Sequence, residues 1–205
     1  SNDPINRPGS YERAKTLVHK IMNLYVKTYS SDFCRLRQDE ARFELSVEDA
    51  LITGSIDLLL KEDEKKDICS AEVIDFKSME IPDEIEQQDW REMSIQVQLY
   101  SKAAREVIGQ NAETGFVHTL KNNKRVEVPV DEISVQNAVK SIEWAVKGIL
   151  RQDFPMRACE SNCRHCDFKA MCKQKREPFN SSEVPPQINT PSGFKTIAAL
   201  EEYEE

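Results

Sequence analysis

The chain is 205 residues long, with 36 acidic and 28 basic residues for a net charge of −8, and 39% of it is hydrophobic. That length suits one domain with an appended tail, and it is enough to bury a substantial core. No run approaches the roughly 18 apolar residues of a membrane span and no secretory leader is visible, so a soluble, cytoplasmic protein without a membrane partner is expected. The acidic balance argues against a chain that binds polyanions strongly on its own. Ser1-Asn2 reads as an expression-tag remnant, and the abrupt start suggests a domain cut from a longer protein.

The first element expected is a helix over residues 11–29, with Leu17, Val18, Ile21, Leu24 and Tyr25 at helical spacing and His19 beside that stripe. Alternation over residues 41–47 predicts a first strand. Two apolar runs follow, Leu51 to Leu60 and Glu72 to Lys77, separated by the charged turn Lys61 to Asp67. After an acidic loop comes a helix over about 90–108, stopped by Gly109. Residues 115–120 and 125–130 read as a hairpin turning at Lys121 to Lys124. Asp131 is placed to cap a helix over about 134–150, whose expected buried face is Ile142, Ala145, Val146 and Ile149. A short helix near 167–175 is expected next. Pro178, Pro185, Pro186 and Pro191 then mark a linker, with a further short helix over 194–200. The order helix, three strands, helix, two strands, helix predicts an α/β fold with a central mixed sheet flanked by helices.

The two apolar runs each carry an acid, Asp57 and Asp75. A carboxylate inside a buried strand is costly unless a cation neutralises it. Strand residues two apart share a face, so Asp75 and Lys77 point together while Phe76 points the other way. A strand-end acid in a salt bridge is the ordinary reading of either Asp alone. Two such acids with a lysine instead suggest a divalent-metal site with a cationic neighbour, the chemistry that phosphodiester hydrolysis requires. Gln96 and Tyr100 lie four apart on the following helix and share a face, whereas Gln98 points elsewhere. Glu40 or Glu44 on the first strand could sit near the site, though each reads more readily as a solvent-facing acid, and His118 and His165 read as structural residues.

Gly54-Ser55-Ile56-Asp57 followed by Ile74-Asp75-Phe76-Lys77-Ser78 resembles the core of the PD-(D/E)XK nuclease superfamily. Gln96-Val97-Gln98-Leu99-Tyr100 and the helix residue His19 resemble further motifs of its RecB-type branch. The likeness runs in order from about His19 to about Arg176. It implies a restriction-endonuclease-like sheet core and hydrolysis of DNA. It also implies a Mg²⁺ or Mn²⁺ ion held by His19, Asp57, Asp75 and the backbone carbonyl of Phe76. Lys77 would act on the attacking water, with Gln96 and Tyr100 steadying Lys77, the water or the phosphate.

Four of the six cysteines fall between Cys159 and Cys172, and in a cytosolic setting such clustering points to metal rather than disulfides. Cys159, Cys163, Cys166 and Cys172 could hold Zn²⁺ or an iron–sulfur cluster. The resemblance favours a [4Fe–4S] staple that pins the C-terminal segment to the core. The branch usually draws its fourth ligand from far upstream, which here leaves Cys159, a residue before this chain, or Cys34 for that place. Cys69 reads as a small buried hydrophobe. The expected domain covers residues 3–176 with the cysteine cluster at 159–172, and residues 177–205 form the tail.

Together these features point to a metal-dependent exonuclease or endonuclease acting on single-stranded DNA. Its most natural setting is the nuclease module of a UvrD/RecB-type helicase, supplied in cis or in trans, in recombination or repair. A stand-alone exonuclease like those of CRISPR adaptation is the runner-up within the same chemistry. A catalytically silent nuclease fold that binds DNA or a partner is the competing class, and a zinc-ribbon interaction protein would explain the cysteines alone.

Overall fold

The computed structural model describes residues 9–62, 70–79, 81, 84–153, 166–167 and 195–197, with the side chains of 84–88 and 195–197 left aside. Helix α1 (Ser10–Thr28) and the short α2 (Ser30–Arg35) lead into β1 (Leu36–Val47), β2 (Ala50–Lys61) and β3 (Ser70–Lys77). Strand β4 (Glu84–Glu86) precedes α3 (Gln87–Ala103), which runs on into a π-helical turn over Ala104–Ile108. Gly109 ends that turn with a left-handed φ of 74°, the conformation a glycine adopts without penalty. Strands β5 (Asn111–Thr119) and β6 (Lys124–Val128) and helix α4 (Glu132–Leu150) complete the core.

The main sheet has the order β1-β2-β3-β5-β6. Its pairs are antiparallel except β3 with β5, which run parallel with Asp75 opposite Val117 and Lys77 opposite Thr119. A parallel pair needs a crossover, and α3 supplies it. This is the mixed α/β architecture expected, a five-stranded sheet flanked by helices. The core lies between the sheet and α3. Phe43, Leu45, Ile56, Val73 and Val117 pack there against Trp90, Met93, Val97 and Tyr100. Glycine at 115 lets α3 approach closely, since a Cβ there would lie 2.6 Å from Val97 Cγ1 and 2.7 Å from Val130 Cγ1. Asp131 caps α4, its carboxylate accepting the Ser134 N–H at 3.0 Å.

Helix α1 differs from expectation. Of its apolar stripe only Tyr25 is buried, while Leu17, Val18 and Leu24 are 51%, 57% and 42% exposed. Tyr25 stacks against Tyr29, and its ring meets Phe76 and His118 edge-on at 5.7 and 5.1 Å. Only the C-terminal end of α1 is therefore seated on the sheet. Of the face expected for α4, Ile142 packs against the core and Val146 is half-buried, whereas Ala145 and Ile149 are exposed; the fully buried residues are Val135, Ala138 and Ser141, so the contact face is displaced toward the N-terminus. Of the helix expected over 194–200, only residues 195–197 are described, and they are not helical. Residues Lys195–Ile197 form strand β7, which pairs in parallel with β4, in keeping with the β-branched Thr196-Ile197.

On the face opposite α3 a buried ionic group ties distant parts of the chain together. Asp32, 3% exposed, accepts hydrogen bonds from Tyr25 Oη (2.7 Å), Arg35 Nη2 (3.0 Å) and Arg125 Nη2 (2.6 Å). Burial raises its pKa, but the bonds from Arg125, Tyr25 and Arg35 outweigh burial and hold it below the ordinary value.

Candidate active site

Strands β2 and β3 pair from Lys61↔Ala71 to Leu58↔Ile74 and then part. Beyond that point the Phe76 N–H has no strand partner from β2, and the Asp57 side chain takes its place: Oδ2 accepts the Phe76 N–H at 2.7 Å. A backbone donor must be satisfied somewhere, and here a carboxylate does it. The same fork brings Asp57 beside Asp75. The negative charge of Asp57 is felt at Asp75, whose carboxyl is raised first by burial and further by Asp57, against the lowering influence of Lys77.

Asp75 is 1% exposed. The Lys77 ammonium lies 2.7 Å from its Oδ2 as an ion pair. Oδ2 is thus held by the Lys77 ammonium, while Oδ1 has no hydrogen-bond partner among the described residues. A desolvated carboxylate with unused lone pairs is suited to a hard cation.

Lys77 Nζ also donates to Gln96 Oε1 at 2.7 Å, and Gln96 Nε2 donates to Tyr100 Oη at 2.6 Å. The direction of this chain is chemically forced. An ammonium only donates, so the glutamine must turn its oxygen to Lys77 and its NH₂ to the phenol. The tyrosine oxygen therefore accepts, and its own proton points onward. Burial raises the Tyr100 pKa, Gln96 lowers it, and the charges of Asp75, Asp57 and Glu40 raise it further, so the phenol keeps its proton. The Tyr100 ring is held by Phe43, edge-on at 5.8 Å. Phe43 fits because residue 54 is glycine, where a Cβ would come within 2.7 Å of Phe43 Cζ.

The structure thus brings together Asp57, Asp75, Lys77, Gln96 and Tyr100. His19 is exposed on α1. It lies six residues from Tyr25, about 120° around a helix, so it does not share the face that meets the sheet. Among the described residues no group of three or more His, Cys, Asp or Glu side chains is arranged to hold a metal. Two carboxylates and the nearby Phe76 carbonyl fit a hard cation in their chemistry, with positions left open for water. Gln98 turns away, fully buried, and donates to the Pro129 carbonyl at 3.0 Å. Glu44 is exposed, across from Thr53.

Glu40 is exposed, as expected, and it also lies near the site. It lies between Asp39, opposite Leu58, and Ala41, opposite Ile56, which puts it alongside Asp57. Its φ is +45°, and its Oε2 accepts the Ser55 hydroxyl at 3.0 Å. A glutamate in the left-handed region of a strand carries strain that tends to gather near functional sites. No sequence pattern announces it.

Cys34 and Cys166 are exposed free thiols. Cys69, Cys159, Cys163, Cys172 and His165 lie outside the described residues.

A family model described as the PD-(D/E)XK nuclease superfamily matches residues 5–173. No curated protein matches the chain. Among solved structures, one titled "Crystal structure of SSO0001" is similar at 18% identity and a TM-score of 0.40, over 80% of this chain and 71% of its own.

Proposed function

Since the chain belongs to the PD-(D/E)XK nuclease superfamily, we propose that it is a divalent-metal-dependent deoxyribonuclease acting on single-stranded DNA. The observation that carries the reading is the buried Asp75 carboxylate, paired with Lys77 through one oxygen, with the other oxygen unpartnered among the described residues and the Asp57 charge nearby. Asp57, Asp75 and the Phe76 carbonyl are the proposed ligands of Mg²⁺ or Mn²⁺. His19 is the proposed imidazole ligand on the strength of the sequence resemblance alone. A hard divalent ion there supplies charge neutralisation and a more acidic bound water.

The chain's own residues do the rest. Lys77, fixed between Asp75 and Gln96, orients the attacking water and meets charge that develops on the phosphoryl oxygens. Tyr100, polarised through Gln96 by the Lys77 ammonium, presents its proton as a donor to a phosphate oxygen. Both groups act as fixed donors, so little reorganisation accompanies the reaction.

Finer parts of the reading rest on sequence resemblance. They are the role as a helicase-linked module in cytoplasmic DNA repair or recombination, the domain limits at 3–176, and a [4Fe–4S] or Zn²⁺ group on Cys159, Cys163, Cys166 and Cys172. Iron, acid-labile sulfide and zinc assays of the purified protein decide the last point.

Cleavage of an end-labelled single strand, with Mg²⁺ or Mn²⁺ and with chelator, tests the whole. Wild-type cutting that stops with chelator and falls by about 10²–10⁴-fold in Lys77→Ala supports it. Retained affinity without any cutting would instead show a silent binding module.

A further inference from the structure

Two exposed lysines on α1, Lys20 and Lys27, stand seven residues apart on one helix face of an otherwise acidic protein. We propose that this face, continued by the turn between β5 and β6, is the track along which single-stranded DNA reaches the end of β3. The choice of polyanion rests on the nuclease reading above; the surface itself is argued from charge and placement.

The chain has a net charge of −8, yet α1 holds Arg13, Lys15, Lys20 and Lys27 against the single acid Glu12, a net of +3. Residues seven apart complete nearly two turns, so Lys20 and Lys27 line up about 10 Å apart along the axis. Neither makes a hydrogen bond or ion pair among the described residues. Lys27 also complements the negative end of the helix dipole; Lys20, in mid-helix, has no such explanation. Three residues before each lysine, on the same face, lie Leu17 and Leu24, 51% and 42% exposed. Exposed aliphatic side chains of this kind can pack on base faces, which a single strand offers and a duplex hides in its stack.

Starting on the sheet face opposite Asp75 and Lys77, the track runs toward the end of β3. Asn123 Nδ2 donates to Thr28 Oγ1 at 3.0 Å, which ties the β5–β6 turn to the last turn of α1. From the same turn the Leu120 N–H donates to the Lys77 carbonyl at 2.8 Å. Lys121 in that turn and Lys124, the first residue of β6, are each engaged with another group and lie at the strand end that bears Lys77.

The test is fluorescence anisotropy of a labelled oligothymidine with the full chain, in chelator so that nothing is cut, across a salt series. Lys20→Glu/Lys27→Glu is compared with wild type and with Lys140→Glu, an exposed lysine on α4. The double variant is expected to bind at least about tenfold more weakly, and its log–log salt slope to shrink by about 1.4, two phosphate contacts at roughly 0.7 each. Lys140→Glu should leave the slope unchanged, a duplex of equal length should bind more weakly, and thermal melting should be alike in all three proteins. Unchanged affinity and slope in the double variant, an equal effect of Lys140→Glu, or no binding by wild type overturns the track. Manganese-dependent cutting measured in parallel keeps the two readings apart. Binding through α1 without cutting sinks the nuclease and spares the track, whereas normal binding and cutting by the double variant does the reverse.

Discussion

At the scale of single residues, the site couples charge to stability. Asp75 is buried, its carboxyl raised by desolvation against the lowering influence of Lys77, whose ammonium lies 2.7 Å from Oδ2. Asp75→Asn keeps the shape and removes the charge, but it leaves the part-buried Lys77 ammonium without its carboxylate. The metal-free variant should therefore be less stable than wild type by about 1–3 kcal/mol, and it should cut no DNA. Calorimetry in chelator checks the first expectation, and a variant more stable than wild type would mean that burial of the carboxylate outweighs its pairing with Lys77. The paired acids and the lysine were legible because period-two alternation in two β-branched runs fixes which side chains share a face. The backbone conformation of Glu40 was not, because nothing in a glutamate side chain signals a φ of +45°.

At the scale of elements, strands β2 and β3 were readable from composition, and their divergence after Leu58↔Ile74 was not. That divergence is what frees Asp57 to bond the Phe76 N–H. Helix α1 shows the converse limit. Its periodicity correctly gave a helix, but periodicity says nothing about what covers the apolar face, and Leu17 and Val18 lie exposed. Strand β7 is three residues long and pairs with a strand more than a hundred residues away, so no local signal could carry it. The link from β2 to the site is Gly54. A Cβ there would meet Phe43 Cζ at 2.7 Å and Cε1 at 2.9 Å, and the Phe43 ring supports Tyr100. Gly54→Ala should cost about 1–3 kcal/mol through overpacking, and it should lower the cutting rate more than DNA affinity. Adding Phe43→Leu should recover most of the stability. Costs that simply add in the double variant would show that the two positions are not coupled.

For the whole molecule, acid sensitivity should come in two stages from the face opposite the site. His118 is fully buried among Tyr25, Tyr29 and Phe76, and burial, followed by the Arg125 charge, lowers its pKa from 6.5 to about 4. The unfolded chain takes up this proton below pH 6.5 and the folded chain does not. Stability is thus full above pH 6.5 and declines toward pH 4, by about 3 kcal/mol at most. Asp32 has a depressed carboxyl, so its contribution is present above its ordinary value of 3.8 and is lost as pH falls through the lower folded value. Melting temperatures from pH 8 to pH 4 should slope downward in wild type and flatten in His118→Phe; parallel curves would assign the first stage to other groups. Asp32→Asn should cost about 3–5 kcal/mol at neutral pH, because it strands buried arginine charge. This lock joins residues 93 positions apart, and sequence alone offered neither Arg125 nor Asp32 as a partner.

The most direct measurement is of the cation itself. Mn²⁺ titrated into the purified protein and followed by electron paramagnetic resonance, with cutting of a single strand assayed on the same samples, reports occupancy and activity together. The account predicts saturable binding in wild type, weakened severely by Asp57→Ala and by Asp75→Ala, with cutting rising in step with occupancy. Undiminished Mn²⁺ binding in both variants, or cutting that persists in chelator, would contradict it.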